Sequence, residues 1–433
     1  MFKCEESELS SDGSDKEERA AERAEKEKKL VEEMKKRKVR KEEKSDDDED
    51  SDVDLDETKI VDIAEEYLAA AFPQKISTNF VFTKVNQLGN FFDLRPVKNW
   101  DTYMKMENSE FLKRYRFKPF NNTYTKKDFQ FLKSYGRSMF SECLLAKNRK
   151  TKLYYGIKCY KKKTILQLEI GKLVENEMKL LNAIRSPFIE HASYFFEDSK
   201  RQFFTIPLSL GGTVFGLLKR HYRLTEYYCK FIAAQVVLAI EYLHNMEIIY
   251  RNLKPENMLI DHHGFIKLAD LSISKKLEDT TRTFTLCGGT IEYLAPEMLT
   301  TSGYDKSVDY WAIGILIYEL YTGITPFYNE DELLVYKNIL EGNYHNHFTF
   351  SSTLINLIKS LLKSTPNDRL GNLEDGINDI KNHYWFKDIL WLPLFNKAVI
   401  PPYVPEITEP HDMCFYEGLD NEDSELNESC ELK

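Results

Sequence analysis

Partway along this 433-residue chain the hydrophobic pattern changes period. From "DFQFLKSYG" through "SECLLAKN" and "LYYGIKCYKK" to "RQFFTIPL", β-branched and aromatic residues fall in short runs between polar turns, which predicts strands. One helix, "EIGKLVENEMKLLNAI", interrupts them. After Gly211-Gly212 the spacing turns helical, with "EYYCKFIAAQVVLAIEYLHNM" the longest stretch, short strands in "MLIDHHGFIKLAD" and more helices over 295–385. A small β-rich lobe ahead of a larger helical lobe is an α+β arrangement with a cleft between them.

The flanks read differently. Residues 1–60 hold "SELSSDGSDKEE" and "SDDDEDSDVDLDE", acidic, serine-bearing and poor in apolar side chains, and such text cannot bury enough surface to offset ordering entropy. Between them "EERAAERAEKEKKLVEEMKKRKVRKEEK" has helix formers without a sustained apolar heptad, so it reads as a solvated, partly formed helix or a partner-binding tail. The expected organisation is a charged tail over 1–60 and a linker over 61–126 carrying an amphipathic helix near 99–116. The small lobe follows over 127–208, the large lobe over 209–385 and a proline-punctuated C-terminal tail over 386–433. Trp100, Tyr103, Met104, Phe111, Leu112 and Tyr115 line one side of the linker helix.

Residues 1–60 carry 23 acidic against 15 basic side chains, and the remainder 47 against 45. A nearly neutral body gives no electrostatic footprint for nucleic acid. Seven scattered cysteines without a C-x-x-C pair suggest reduced thiols. Met1-Phe2-Lys3 opens neither a signal peptide nor a myristoylation site, and "WAIGILIY" is too short for a membrane span and is bounded by Asp309 and Glu319. The expectation is a soluble, cytoplasmic protein.

"YRNLKPENML", "LADLS" and "LAPEM" occur at the spacings of a protein kinase's catalytic text. On these motifs residues 100 to about 415 resemble the protein kinases. The helix "EFLKRYR", "RTFTLCG", "RLGNLEDGINDIKNHYWF" and a C-terminal tail make the chain similar to catalytic subunits of cAMP-dependent kinase, in the AGC group. The resemblance implies the two-lobed kinase fold, with ATP and Mg²⁺ as ligands. It implies that Lys158 pairs with the phosphates and with Glu177, that Asp270 and Asn257 bind the metal through hard oxygens, and that Lys254 touches the transferring phosphate. It also implies that Arg251 grips a phosphorylated Thr285, that Glu297 and Arg369 lock the large lobe, and that Glu256 and Glu319 read substrate arginines.

Several departures surround the phosphate site. Asn252 stands where the family has the aspartate that accepts the substrate proton; a carboxamide can only hydrogen-bond, and a general base contributes about 10²–10⁴-fold. The loop over the phosphates, G-x-G-x-x-G in the family, is "GRSMFS" here, keeping Gly136 and Phe140 but placing Ser138 and Ser141 where glycines let backbone amides approach phosphate. "DLS" replaces D-F-G, with Leu271 suited to the apolar slot and Ser272 removing a flexible hinge. Thr213 stands at a third substrate glutamate's place, Gly288-Gly289 carries an extra residue, Ile291 replaces a proline, and "LNESCELK" lacks the terminal F-x-x-F, which argues against docking of the tail on the small lobe.

These observations predict a pseudokinase that holds ATP with Mg²⁺ and transfers phosphate weakly or not at all, acting in signalling. A slow but active serine/threonine kinase for basic motifs is the alternative. Partners are a protein substrate or signalling protein, with binding to a cAMP-dependent regulatory subunit expected to be weak or lost.

Overall fold

The computed structural model of the chain describes residues 96–116, 123–138, 140–277, 282–283, 290–300, 303–345, 349–409 and 411–416. The expectations for residues 1–60, Thr285, Gly288-Gly289 and the last residues of the chain lie outside these.

Five antiparallel strands build the small lobe: β1 (Phe129–Arg137), β2 (Ser141–Asn148), β3 (Tyr154–Lys161), β4 (Tyr194–Glu197) and β5 (Arg201–Ile206). Their order in the sheet is β1-β2-β3-β5-β4. Central β3 is covered on both faces, which explains why "YYGIKCY" reads as a continuous apolar run instead of alternating. Phe129, Phe131, Tyr155, Ile157, Phe196 and Phe203 pack on one face, with Phe129 and Phe196 stacked at 5.3 Å. The other face turns toward α3 (Gly171–Ala183), the helix expected among the strands. Strand β4 and the short α2 (Lys162–Gln167) add to the expected elements; both are too short to show a period in the sequence.

The amphipathic segment ahead of the sheet forms α1 (Trp100–Arg116). It rests on the large lobe's longest helix, α5 (Glu226–Asn245), which follows the shorter α4 (Val214–His221). Trp100 meets Phe395 edge-on at 4.7 Å and donates to Glu241 at 2.9 Å. The face also buries Glu107, against the apolar pattern; the Tyr242 hydroxyl donates to it at 2.7 Å and Arg114 pairs with it. Helices α5 and α6 (Ser307–Thr322) are buried on nearly every side and form the centre of the lobe. "WAIGILIY" lies in α6, and among the described residues no helix is long and apolar enough to cross a membrane. Cys143, Cys159, Cys229 and Cys414 are free thiols.

The C-terminal segment corrects one expectation. Residues 403–409 and 411–416 run along both lobes, and the second stretch docks on the small one: Met413 packs with Tyr135, Leu145 and Tyr154, and His411 stacks on Tyr154 at 5.2 Å. Docking of this segment therefore does not need the missing F-x-x-F. Gly264 permits the approach, since a Cβ there would lie 2.0 Å from the Tyr403 carbonyl oxygen and its φ is +88°.

A buried ion pair closes the large lobe. The Arg369 guanidinium, fully buried, donates to Glu297 Oε1 at 2.6 Å and Oε2 at 2.9 Å. Removing one partner leaves an uncompensated buried charge, so Arg369→Ala should lower unfolding free energy by about 3–5 kcal/mol, read from the denaturation midpoint. A loss below about 1 kcal/mol would place the pair in the solvent-screened class instead.

Candidate functional site

Residues 156, 158 and 160 share one face of β3 because side chains alternate along a strand. Lys158 Nζ donates to Glu177 Oε1 of α3 at 2.5 Å, and the Tyr160 hydroxyl donates to Oε2. Both members of the pair are almost fully buried. Burial opposes a charged lysine, but Glu177, Tyr160 and Asp270 outweigh it and hold Lys158 well above its ordinary value. Two donors converge on Glu177, so the carboxylate is the form these contacts serve.

Across the cleft, the loop that follows β6 (Ile248–Ile249) is fixed from beneath. Buried Asp309 of α6 accepts from Tyr250 N at 2.9 Å and His244 Nε2 lies at 2.8 Å on Oδ2, while Arg251 N donates to Oδ1 at 2.9 Å. Arg251 and Asp270 both have left-handed backbones, φ +63° and +55°. Such non-glycine conformations cost about 1–3 kcal/mol and persist where surrounding bonds over-determine them, as they do here.

Asp270 collects both lobes. Lys158 Nζ lies 3.4 Å from Oδ1, and Asn252 Nδ2 donates to Oδ2 at 3.1 Å and to the Asp270 main-chain oxygen at 3.0 Å. Both partners of the Asn252 nitrogen can only accept, so the amide must face them with its N–H groups. Asn257 Nδ2 in turn donates to the Asn252 main-chain oxygen at 2.9 Å. Burial alone would raise the Asp270 carboxyl; Lys158, then hydrogen bonds from Ser272 and Asn252, hold it below the usual carboxylate range. Leu271 is fully buried in the apolar slot beside it. Lys254 Nζ reaches Thr290 Oγ1 at 3.1 Å.

In the loop above, Ser138 Oγ accepts from Ser141 N at 3.1 Å and Phe140 N at 3.3 Å and lies 2.8 Å from Ser141 Oγ. Two amides that could face an anion are thus engaged by a side chain of the same loop. Gly136 pairs with Cys143 in the sheet. Thus the cleft brings together Lys158, Glu177, Asp270, Asn252 and Asn257, with the serine loop as the end of β1 and start of β2.

The other expected residues stand apart. Arg251 donates to the Ile273 carbonyl at 2.8 Å and to the Tyr304 hydroxyl at 2.7 Å. Glu256 is exposed, whereas Glu319 is buried and accepts from Tyr293 at 2.5 Å. Thr213 caps α4, its Oγ1 accepting from Gly216 N at 2.9 Å. No group of three or more histidine, cysteine or acidic side chains that could hold a metal occurs among the described residues. For Mg²⁺, the fitting oxygens are the ionised Asp270 carboxylate and the Asn257 carboxamide, whose nitrogen is turned to Asn252.

The sequence reading missed Glu190, in "PFIEHAS". It is buried, and burial pushes its carboxyl up to about 7 against the pull of Lys158. No short sequence signal marks it, because its neighbours come from distant segments.

A five-stranded lobe whose buried lysine–glutamate pair faces an aspartate of a helical lobe defines the protein-kinase class of fold. The family model for the protein kinase domain matches residues 129–386, and the chain belongs to that family. It is 40% identical over 305 residues to the cAMP-dependent protein kinase catalytic subunit of Dictyostelium discoideum, covering 70% of this chain and 47% of that protein. It is 39% identical over 300 residues to the corresponding subunit of Schizosaccharomyces pombe, 68% of this chain and 58% of that one. Identity to cAMP-dependent protein kinase type 3 of Saccharomyces cerevisiae is 38% over 294 residues, 68% and 73% of the two chains. The match thus spans about half the length of the first of these relatives.

Glu190 gives a pH prediction. Its folded-state value near 7 lies above the ordinary 4.5, so below pH 4.5 both states hold the proton and the contribution is complete. Between 4.5 and 7 the unfolded chain releases a proton the folded chain keeps, and about 3 kcal/mol of stability is lost as pH rises. Glu190→Gln should flatten this part of the stability–pH curve in denaturant titrations at pH 5 and 8. Parallel curves for both proteins would refute the assignment.

Proposed function

We propose that this chain is a kinase-fold signalling module that holds ATP with Mg²⁺ in its cleft and transfers phosphate slowly or not at all. The observation that carries the reading is the Asn252 carboxamide, which donates to Oδ2 and to the main-chain oxygen of Asp270 and so offers no base to an incoming hydroxyl. Lys158, paired with Glu177, would hold the phosphates, and Asp270 with Asn257 Oδ1 would hold the metal. When bound, ATP with Mg²⁺ supplies the phosphoryl group and neutralises the charge on it. The chain's own contribution is positioning, and three features weaken it: the amide on Asp270, the self-bonded serine loop and the serine after Leu271.

A carboxylate at position 252 would face the Asp270 carboxylate and a main-chain oxygen, an arrangement that repels without a cation between them. The substitution therefore has to overturn a local bonding pattern besides adding a base. Residues that act as a unit contribute non-additively, so repair of one leaves the others limiting.

On the substrate side, Thr213 serves as a helix cap and Glu319 is engaged by Tyr293, which supports weakened reading of basic segments and weak or absent binding of a regulatory subunit. The partner class is a protein, and the cytoplasm is the compartment consistent with free thiols.

Turnover of radiolabelled ATP on an arginine-rich serine peptide tests the reading. The wild-type rate should be low, with less than about tenfold recovery in Asn252→Asp and a larger gain when residues 138, 141, 252 and 272 are repaired together. A gain of about a hundredfold from the single change would instead support a slow serine/threonine kinase one substitution from full activity. Binding is tested separately: Mg-ATP at 100 times its dissociation constant should raise stability by about 2.7 kcal/mol, and Lys158→Ala should abolish the shift. Equal melts with and without nucleotide would count against it.

A further inference from the structure

The base end of the same cleft is built unlike an open nucleotide site. Lys158 and Asp270 mark the phosphate end. At the other end the chain leaves β5 at Ile206 and crosses between the lobes through Pro207, Leu208, Ser209 and Leu210, reaching the large lobe where Gly211 N donates to Ile260 O at 2.9 Å. A planar base lying between these ends has to rest against the underside of the sheet, beside Gly156 and Cys143, since Cys143 stands opposite Lys158 in the β2–β3 register and Gly156 precedes Lys158 on the same face.

That space is filled by the protein itself. The Tyr135 hydroxyl lies 2.6 Å from where a Cβ on Gly156 would stand, a separation a real side chain would not tolerate, and Ile206 Cγ1 lies at 2.9 Å. Tyr135 is buried, and the ring of Tyr416 meets it edge-on at 5.0 Å. The Tyr416 hydroxyl donates to the Ser209 carbonyl at 2.5 Å, taking a main-chain acceptor of the crossing segment. The Ser209 hydroxyl is buried with no hydrogen-bond partner among the described residues, an unmet polar group beside the same segment.

We infer that Tyr135, seated in the space left by Gly156 and backed by Tyr416, determines what the base end of the cleft admits. A purine nucleotide enters only as the Tyr135 ring moves out. This inference rests on the proposed nucleotide reading of the cleft and adds the residue that sets its affinity. The two residues are matched: the glycine accommodates the phenol, and a larger residue at 156 would expel it. A tyrosine that merely filled the core would leave nucleotide affinity unchanged when shortened.

Equilibrium titration of the full chain with fluorescent N-methylanthraniloyl-ATP and Mg²⁺ reads this directly. Tyr135→Leu should bind about tenfold tighter than wild type or better, and Tyr416→Phe, which loses one hydrogen bond to Ser209, about threefold tighter. Thermal melts without nucleotide supply an independent reading of the match. Gly156→Ala should lower the melting temperature in both backgrounds, because Ile206 Cγ1 stands at 2.9 Å in either, but by less in Tyr135→Leu than with Tyr135 present, a coupling between neighbours that a double-mutant cycle isolates. If Tyr135→Leu unfolds, Tyr135→Phe removes only the hydroxyl that meets Gly156, and it should both bind tighter than wild type and tolerate Gly156→Ala better.

Affinities for Tyr135→Leu and wild type within twofold of each other, with binding abolished by Lys158→Ala in both, would overturn the inference while the nucleotide reading stood. Absence of binding in wild type, Tyr135→Leu and Tyr135→Phe at millimolar nucleotide would remove the nucleotide reading, and the inference with it.

Discussion

The Asp270 carboxylate is the point on which the architecture converges. It receives Lys158 of the small lobe at one oxygen and Asn252 of the large lobe at the other. Two lobes linked at a half-buried charge need that charge satisfied from both sides, because an unpaired carboxylate drawn away from water is costly. Lys158 in turn holds Glu177 and so fixes α3 against the sheet. The side chains that distinguish this cleft from the family's motifs, Asn252 and Ser272, are among those that satisfy Asp270. Both side chains therefore stabilise the arrangement without any ligand.

The same internal satisfaction recurs along the cleft. Ser138 bonds the amides of its own loop, and the Tyr416 hydroxyl bonds the carbonyl of the crossing segment. Each bond occupies a main-chain group with a side chain of the protein itself. A cleft satisfied from within keeps its shape without nucleotide. The strained backbones of Arg251 and Asp270 remain in place because Asp309 and Asn252 hold them.

Much of this was legible in the sequence. The switch from strand to helical period placed the two lobes, since a period of 2 and a period of 3.6 cannot be confused over runs as long as "EYYCKFIAAQVVLAIEYLHNM". The meeting of Lys158 with Glu177 and Asp270 was legible through the resemblance their motifs carry, although 112 residues separate Lys158 from Asp270. Short elements such as β4 and α2 were not, because four to six residues carry no period. Buried Glu107 was hidden too: its partners Tyr242 and Arg114 convert an apparent surface charge into a buried network.

The sequence by itself determined which residue types are available to the cleft: an amide where a base would stand, serines where glycines would stand, and one lysine–glutamate couple. It could not determine which way those groups face. Asn252 turns its amide to Asp270, Ser138 turns its hydroxyl to its own loop, and Tyr135 reaches beneath β3 because Gly156 leaves room. Residues 411–416 dock on the small lobe through Met413 and His411, without the terminal motif. Orientation and docking are set by contacts between segments far apart in the chain, and only the folded structure brings those segments together.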